Sequence, residues 1–412
     1  MTSRVLPFDP SRVGMHCGST RVPLLMRSFV PHSVLGCLVV VVAACATRVA
    51  PPAPLAVAAT TRTSLVVELG NGLTTAAEVV FPAPGGAHGD GPYPVVLMIA
   101  GNGPHDMDTT MPGPGGATTL FRDVAEIWAE RGFATVRYHK RRVKGPGKFD
   151  ARFWREQSTE TFSKDANKVL DAALALPQCD KERVCVFGWS EGTVVGAALA
   201  IERGDVRAIV FQGPVAMPYR ELVRSWIVDV GLPYARGTGT AIDADSLRAA
   251  TRGNGGMVSK LTASWFADPS RGFGPPAVNP RFDTNGDGAL DAETEASAAV
   301  EPILDWAFSP QGACWIYAPG RVLPQVVEQA PRLRMPTLIL QGDHDASTPL
   351  RGARALEAAL RESGNTRAEL RVFENCGHSL GTASSLIDDA MRKPDAAIFV
   401  GAAEWLAASL RG

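Results

Sequence analysis

An α/β fold, a mostly parallel and doubly wound sheet with helices on both faces, is the architecture this sequence predicts. Three observations carry it: short apolar runs of strand length, helical apolar spacing between them, and a return of that alternation near the end of the chain. Pro94–Ala100 (PVVLMIA) is such a run, the mark of a strand covered on both faces. Before it, Leu65–Leu69 and Ala76–Phe81 read as a leading antiparallel hairpin. After it, Thr119–Arg131 carries Leu120, Phe121, Val124, Ile127 and Trp128 at helical spacing and stops at Gly132. A strand at Ala134–Tyr138, a helix near Thr161–Leu176, a strand at Val184–Phe187, a helix at Gly192–Arg203 and a strand at Ala208–Gln212 follow. Pro336–Gln341, Leu350–Glu362, Ala368–Phe373 and Ala396–Leu410 continue the alternation. The stretch Tyr219–Pro331 breaks it, with Gly-rich loops, helical pieces and no convincing buried strand, and reads as an inserted cap. The core is therefore expected in 63–218 and 332–412, and the cap in 219–331.

Composition bounds the function classes. The 412 residues are 45% hydrophobic and 20% charged, enough for a sizeable core. Lys and Arg number 41 against 42 Asp and Glu, so no basic excess points to nucleic acid and no acidic run to a solvating tail. Glycine and proline lack a period, which excludes collagen-like chains and solenoid arrays.

The amino terminus reads as an address, residues 1–44. Val34–Ala44 is an uncharged apolar run of secretory-signal length, too short to span a bilayer and preceded by basic residues. It ends in Val42-Ala43-Ala44-Cys45, which resembles the lipobox of bacterial lipoproteins. That resemblance implies lipidation of Cys45, with residues 45–62 as a tether, and an anchored place in the cell envelope on the periplasmic or outer face of a membrane. The segment from Met26 has the proportions of a lipoprotein signal, so Met26 is an alternative start. Outside the leader and the box lie Cys179, Cys185, Cys314 and Cys376, whose even number permits disulfides in an oxidising compartment. Cys179–Cys185 with Cys314–Cys376 is the favoured pairing; buried free thiols are the alternative.

Chemistry concentrates at Gly188-Trp189-Ser190-Glu191-Gly192, between an apolar strand and a helix of small residues. G-x-S-x-G at a strand-to-helix turn forms a nucleophile elbow, which lifts the serine hydroxyl above the sheet. The pattern alone recurs by chance; the strand and helix around it give it weight. Gly377-His378-Ser379-Leu380-Gly381 also fits, but no histidine follows Ser379. A serine needs a base, and the base a carboxylate. Only His344 and His378 lie downstream of Ser190, and the strand before Gly342-Asp343-His344-Asp345 opens into a carboxylate-bearing loop. The order Ser190, Asp345, His378 is that of an α/β-hydrolase.

The chain thus resembles the α/β-hydrolase superfamily over residues 63–218 and 332–412, and G-x-x-D before Thr-Pro selects Asp345 over Asp343. Asn102-Gly-Pro-His105-Asp106-Met107-Asp108 resembles the GSGPxDRD segment of bacterial secreted esterases related to dienelactone hydrolases and serine aminopeptidases. Tyr138-His139-Lys140-Arg141 resembles their YDKRG turn. The resemblance implies an oxyanion hole from the backbone N–H groups of Asn102 and Glu191. His105, Asp106 and Asp108 read as loop-ordering residues rather than metal ligands.

Within the cap, Asp283, Asn285, Asp287, Ala289 and Asp291 match an EF-hand loop through its ninth position. Its twelfth is Thr294 in place of Glu, so Glu295 reaches in by a one-residue shift, or water fills the gap, in a weak Ca2+ site. The expected function is a serine hydrolase, carboxylesterase in type, on an ester, thioester or small amide, with no cofactor in catalysis. A peptidase or acyltransferase with the same triad is the near alternative; a non-catalytic calcium-binding surface lipoprotein is the distant one. Substrate identity and oligomeric state are not legible.

Overall fold

The computed structural model of the chain describes residues 60–411 except 157, 273, 319 and 321. The signal, the Cys45 box and nearly all of the tether lie outside the described residues. Eight strands form one sheet: β1 (Thr61–Gly70), β2 (Leu73–Phe81), β3 (Tyr93–Ile99), β4 (Ala134–Tyr138), β5 (Cys179–Trp189), β6 (Val206–Gln212), β7 (Thr337–Gly342) and β8 (Ala368–Phe373). Their order across the sheet is β1-β2-β4-β3-β5-β6-β7-β8. β2 runs antiparallel to both β1 and β4, and every pairing from β4 to β8 is parallel. Parallel neighbours require crossovers, and these supply α1 (Leu120–Ala129), α2 (Thr159–Leu174), α3 (Glu191–Arg203) and α4 (Leu350–Glu362), while α5 (Ala396–Ser409) follows β8.

Alternation along the strands explains why the central ones read as unbroken apolar runs. Val95, Leu97 and Ile99 face a cluster with α2, α3 and α4, whereas Val96 and Met98 face α1 and α5. Each such side chain, fully buried, contributes about 1.5–3 kcal/mol. On the α1/α5 face Trp128, Phe187 and Phe399 meet edge-on at 5.2–6.5 Å, and the Trp128 indole donates to the Phe399 carbonyl at 2.8 Å. That contact pins the last helix to the first. α2 starts at Ser158, whose hydroxyl accepts from the Thr161 N–H at 3.2 Å.

Between β6 and β7 the chain leaves the sheet for more than a hundred residues. Its helices include Tyr219–Ser225, Ala244–Arg252, Met257–Ala263 and Val300–Ala307, joined by a two-residue bridge of Ala241–Ile242 with Leu290–Asp291. Val223, Ile227, Leu247, Phe266, Leu304 and Tyr317 belong to the same apolar cluster as α2, α3 and α4. The described residues accordingly form one compact unit. Two small hairpins, Thr110–Gly113 with Gly116–Thr119 and Val143–Gly145 with Lys148–Phe149, escape sequence reading because their strands are too short for a period. Among the described residues, no helix is long and apolar enough to cross a membrane.

The disulfide expectation is corrected. Cys179, Cys185, Cys314 and Cys376 are all free. Cys179 and Cys185 lie opposite Tyr93 and Val96 of β3, three positions apart across a bulge in β5, so about 10 Å of strand separates them, beyond disulfide reach. Burial pushes the thiols of Cys179, Cys185 and Cys314 up to about 12, so they are inert apolar fillers.

Candidate active site

Ser190 stands between β5 and α3 with φ 56° and ψ −125°, a conformation that costs a non-glycine residue about 1–3 kcal/mol. Its neighbours enforce it. The Ser190 N–H donates to the Gln212 carbonyl at the end of β6 (2.9 Å), and α3 starts at the next residue. Gly192 lets that helix seat on β3, because a Cβ there would stand 2.0 Å from the Ile99 carbonyl oxygen. The positive end of α3 therefore meets the elbow.

Asp345 and His378 arrive from the carboxyl ends of β7 and β8. Asp345 Oδ2 lies 2.9 Å from His378 Nδ1, and the two residues are 1% and 3% exposed. A carboxylate only accepts, so Nδ1 carries the proton of the neutral imidazole and Nε2 is the nitrogen left with a free lone pair. Asp345 also accepts from the Thr348 N–H (2.7 Å), the Thr348 hydroxyl (2.8 Å) and the Gln341 amide (3.1 Å). The His378 ring lies 5.2 Å from that of Trp189, and its carbonyl accepts from the Trp189 indole (3.3 Å) and the Gln212 amide (3.1 Å). Gln212 thus ties both the elbow and the histidine loop to one strand end. Gly213, at φ +55°, completes the approach, since a Cβ there would meet His378 Nδ1 at 2.8 Å. Burial pulls the imidazole down, but the charge and hydrogen bond of Asp345, with Asp389 behind it, leave it raised above the usual histidine value.

Asp389 escapes sequence reading. It sits in a loop without a motif, yet its Oδ1 accepts from the His378 N–H (2.9 Å) and its Oδ2 from the Ala346 N–H (2.8 Å). One carboxylate clips the histidine loop to the Asp345 loop. Burial, then the charge of Asp345, push it up to about 7. The remaining candidates are committed elsewhere. Ser379 donates to the Arg392 carbonyl (2.8 Å) and accepts two N–H groups, and His344 Nδ1 lies 2.7 Å from the Ala383 carbonyl.

The segment after β3 is held by the turn after β4, so the two stretches singled out in the sequence are in contact. Met107 N–H donates to His139 Nδ1 (2.8 Å), Lys140 N–H to the His105 carbonyl (3.1 Å), and Arg137 pairs with Asp108. His105 Nε2 lies 2.6 Å from the Asn102 carbonyl, and Asp106 accepts from the N–H and hydroxyl of Thr110. Burial, then the charge of Lys140, take His105 down to about 4, so it is neutral at pH 7. Lys140 Nζ donates to the Gly101 carbonyl (2.8 Å) and lies 3.4 Å from Glu191 Oε1, while the Tyr317 hydroxyl of the cap donates to Glu191 Oε2 (2.9 Å). Nothing in the sequence distinguishes Tyr317; it reaches the site only through the cap's packing.

In the cap loop, Asp283 accepts from the N–H groups of Gly286 (2.7 Å) and Gly288 (3.0 Å), and Asp287 from that of Ala289 (2.9 Å). Asp291 caps the following turn through Glu293 and Thr294. Ala292–Ala296 is a π turn, and its extra residue brings Glu295, not Thr294, round to the loop. Glu295 accepts from the Thr284 N–H (2.7 Å), the Thr284 hydroxyl (2.6 Å), the Asn285 N–H (3.3 Å) and the Asp291 N–H (3.1 Å). The Thr284 hydroxyl, first among these, lowers its pKa. Among the described residues, no three His, Cys, Asp or Glu side chains converge closely enough to hold a metal ion as they stand.

A family model for the α/β hydrolase fold matches residues 145–381. This chain is an α/β hydrolase. The hydrolase is 30% identical over 139 residues to the esterase EstD of Thermotoga maritima, 33% of its own length and 30% of the esterase's. It therefore spans less than a third of that relative. Among solved structures, a proline iminopeptidase of Mycobacterium smegmatis matches 85% of the hydrolase with 99% of its own chain, at 14% identity and a TM-score of 0.49. Est1E from Butyrivibrio proteoclasticus matches with the same coverage and identity at a TM-score of 0.45. Likeness at that level bears on no residue's role.

Proposed function

We propose that this α/β hydrolase is a serine hydrolase of carboxylesterase type, acting on an ester, thioester or small amide. Ser190 attacks the carbonyl, His378 Nε2 takes its proton and returns it to the leaving group, and Asp345 fixes the imidazole. The N–H groups of Asn102 and Glu191 receive the oxyanion, and water releases the acyl group. One observation carries the reading: a buried His378–Asp345 pair packs against Trp189, the residue before a strained serine at a strand-to-helix elbow. The identity to an esterase supports the ester over the peptide bond. Fluorophosphonate labelling followed by peptide mapping tests it. An adduct on Ser190, and loss of several orders of magnitude of kcat in Ser190→Ala but not in Ser379→Ala, is the expected result. An adduct on Ser379 refutes it.

Two further parts belong to the proposal. Cys45 carries a lipid that holds the enzyme on a membrane face of the bacterial envelope. Asp283, Asn285, Asp287, the Ala289 carbonyl, Asp291 and Glu295 take a weakly held Ca2+ with a structural role. All of these donors are hard oxygens, as calcium requires. Each carboxylate oxygen of Asp283 accepts one hydrogen bond, so lone pairs are left for a cation.

A further inference from the structure

We infer that Lys140 is a positioning residue for the oxyanion hole, orienting and polarising the Gly101–Asn102 peptide and tying it to the Glu191 arm. The inference rests on the reading that the Asn102 and Glu191 N–H groups face the oxyanion. The argument starts from one peptide plane. The Gly101 carbonyl and the Asn102 N–H belong to the same unit, and in a trans peptide they point in opposite directions. Lys140 Nζ donates to that carbonyl at 2.8 Å, which fixes where the N–H points. The plane lies beside the nucleophile: a Cβ on Gly101 would stand 2.8 Å from the Ser190 Cβ. A cation on the carbonyl also draws electrons through the amide, making its N–H a stronger donor in a site of low dielectric.

The other donor hangs on the same ammonium. Glu191, 1% exposed, supplies the second N–H, and its carboxylate lies between Lys140 (3.4 Å) and the Tyr317 hydroxyl (2.9 Å). Tyr317 in turn stacks on Tyr219 at 4.3 Å, so the cap reaches this arm. Lys140 is 4% exposed and lies 3.7 Å from the centre of the Phe162 ring. Burying an ammonium costs several kcal/mol before its partners respond. A neutral amide could pin a loop without that cost. Only a charge also polarises the peptide.

Lys140→Met and Tyr317→Phe test this, with three readouts: kcat and KM on a p-nitrophenyl ester, inhibition by a trifluoromethyl ketone, and the infrared carbonyl band of the acyl-enzyme. Lys140→Met should lower kcat about 10–100-fold, less than loss of an oxyanion donor itself, with KM within about twofold. It should weaken the ketone, whose adduct carries an oxyanion, in the same proportion and move the acyl carbonyl band to higher wavenumber. Tyr317→Phe should move all three the same way by less. Unchanged ketone affinity and carbonyl band in a folded Lys140→Met protein overturn the inference and leave a merely structural ion pair. If that variant does not fold, the same two readouts in Tyr317→Phe decide. Failure of the proposed Ser190 mechanism, on which that reading depends, is distinguishable, because it appears in the unaltered enzyme as the absence of a phosphonate adduct on Ser190.

Discussion

Asp345 accepts four hydrogen bonds, from His378, Gln341 and both the N–H and the hydroxyl of Thr348. That set fixes the carboxylate in place, and against burial its charge and hydrogen bond hold His378 above the ordinary histidine value. In the free enzyme the acid limb of kcat/KM should therefore lie above about 6.5, with activity lost as pH falls through it. Asp345→Asn should cost roughly 10³–10⁴-fold in kcat, because the amide no longer selects the Nδ1–H tautomer. The residual activity should show its acid limb displaced to lower pH. A pH–rate profile of both proteins checks this, and an unmoved limb would reassign the base. Ser190, Asp345 and His378 are legible in the sequence because each follows a strand in a fixed order. Lys140 is legible only as part of a turn. Asp389 and Tyr317 are not legible, since a bare Asp or Tyr in a loop looks the same whether solvated or buried.

The two loops that carry Asp345 and His378 behave as one element, closed by Asp389 across the Ala346 and His378 N–H groups. Its folded pKa of about 7 lies above that of an unfolded aspartate, so protonation favours the fold. The stability it lends is fully present below the unfolded value near 3.9 and is lost as pH rises through about 7. His378, also raised, adds a loss in the same direction above its unfolded value. Urea unfolding at pH 5 and pH 8 should show a fall in stability that shrinks in Asp389→Asn; an unchanged fall would remove Asp389 as its source. The cap loop is the second element with a readable device. The EF-hand spacing to Asp291 is written in the residues, whereas the π turn that brings Glu295 inward is a local winding without a sequence code. Calcium at millimolar concentration should raise the melting temperature, and Asp283→Ala with Asp287→Ala should abolish that rise. Calorimetry without heat of binding in the unaltered protein would leave the loop a plain acidic turn.

At the scale of the whole molecule, a sheet with helices on both faces presents Ser190, Asp345 and His378 at the carboxyl ends of β5, β7 and the segment after β8. The long excursion between β6 and β7 shares one apolar cluster with the core, so cap and site are mechanically joined rather than hinged on a linker. The proposed lipid anchor at Cys45 concerns the whole chain. Cys45→Ser should move the protein from the membrane fraction to the soluble one with its kcat on p-nitrophenyl esters unchanged. Continued sedimentation with membranes would place the anchor elsewhere.

The alternation of apolar runs determined the sheet, because a strand buried on both faces must be apolar at every position and a covering helix on one stripe. Val95 to Ile99, Val184 to Phe187 and Leu338 to Leu340 obey that rule with no reference to what lies across from them. The order of serine, acid and histidine along the chain determined the candidate chemistry for a similar reason, since each follows its own strand. What only the tertiary structure decided is pairing at a distance: Lys140 with Gly101 and Glu191, Tyr317 with Glu191, Asp389 with two backbone amides, and four thiols left apart. Such pairs depend on where the crossovers and the cap bring strand ends together, and a side chain's partner across the fold leaves no period in the sequence around it.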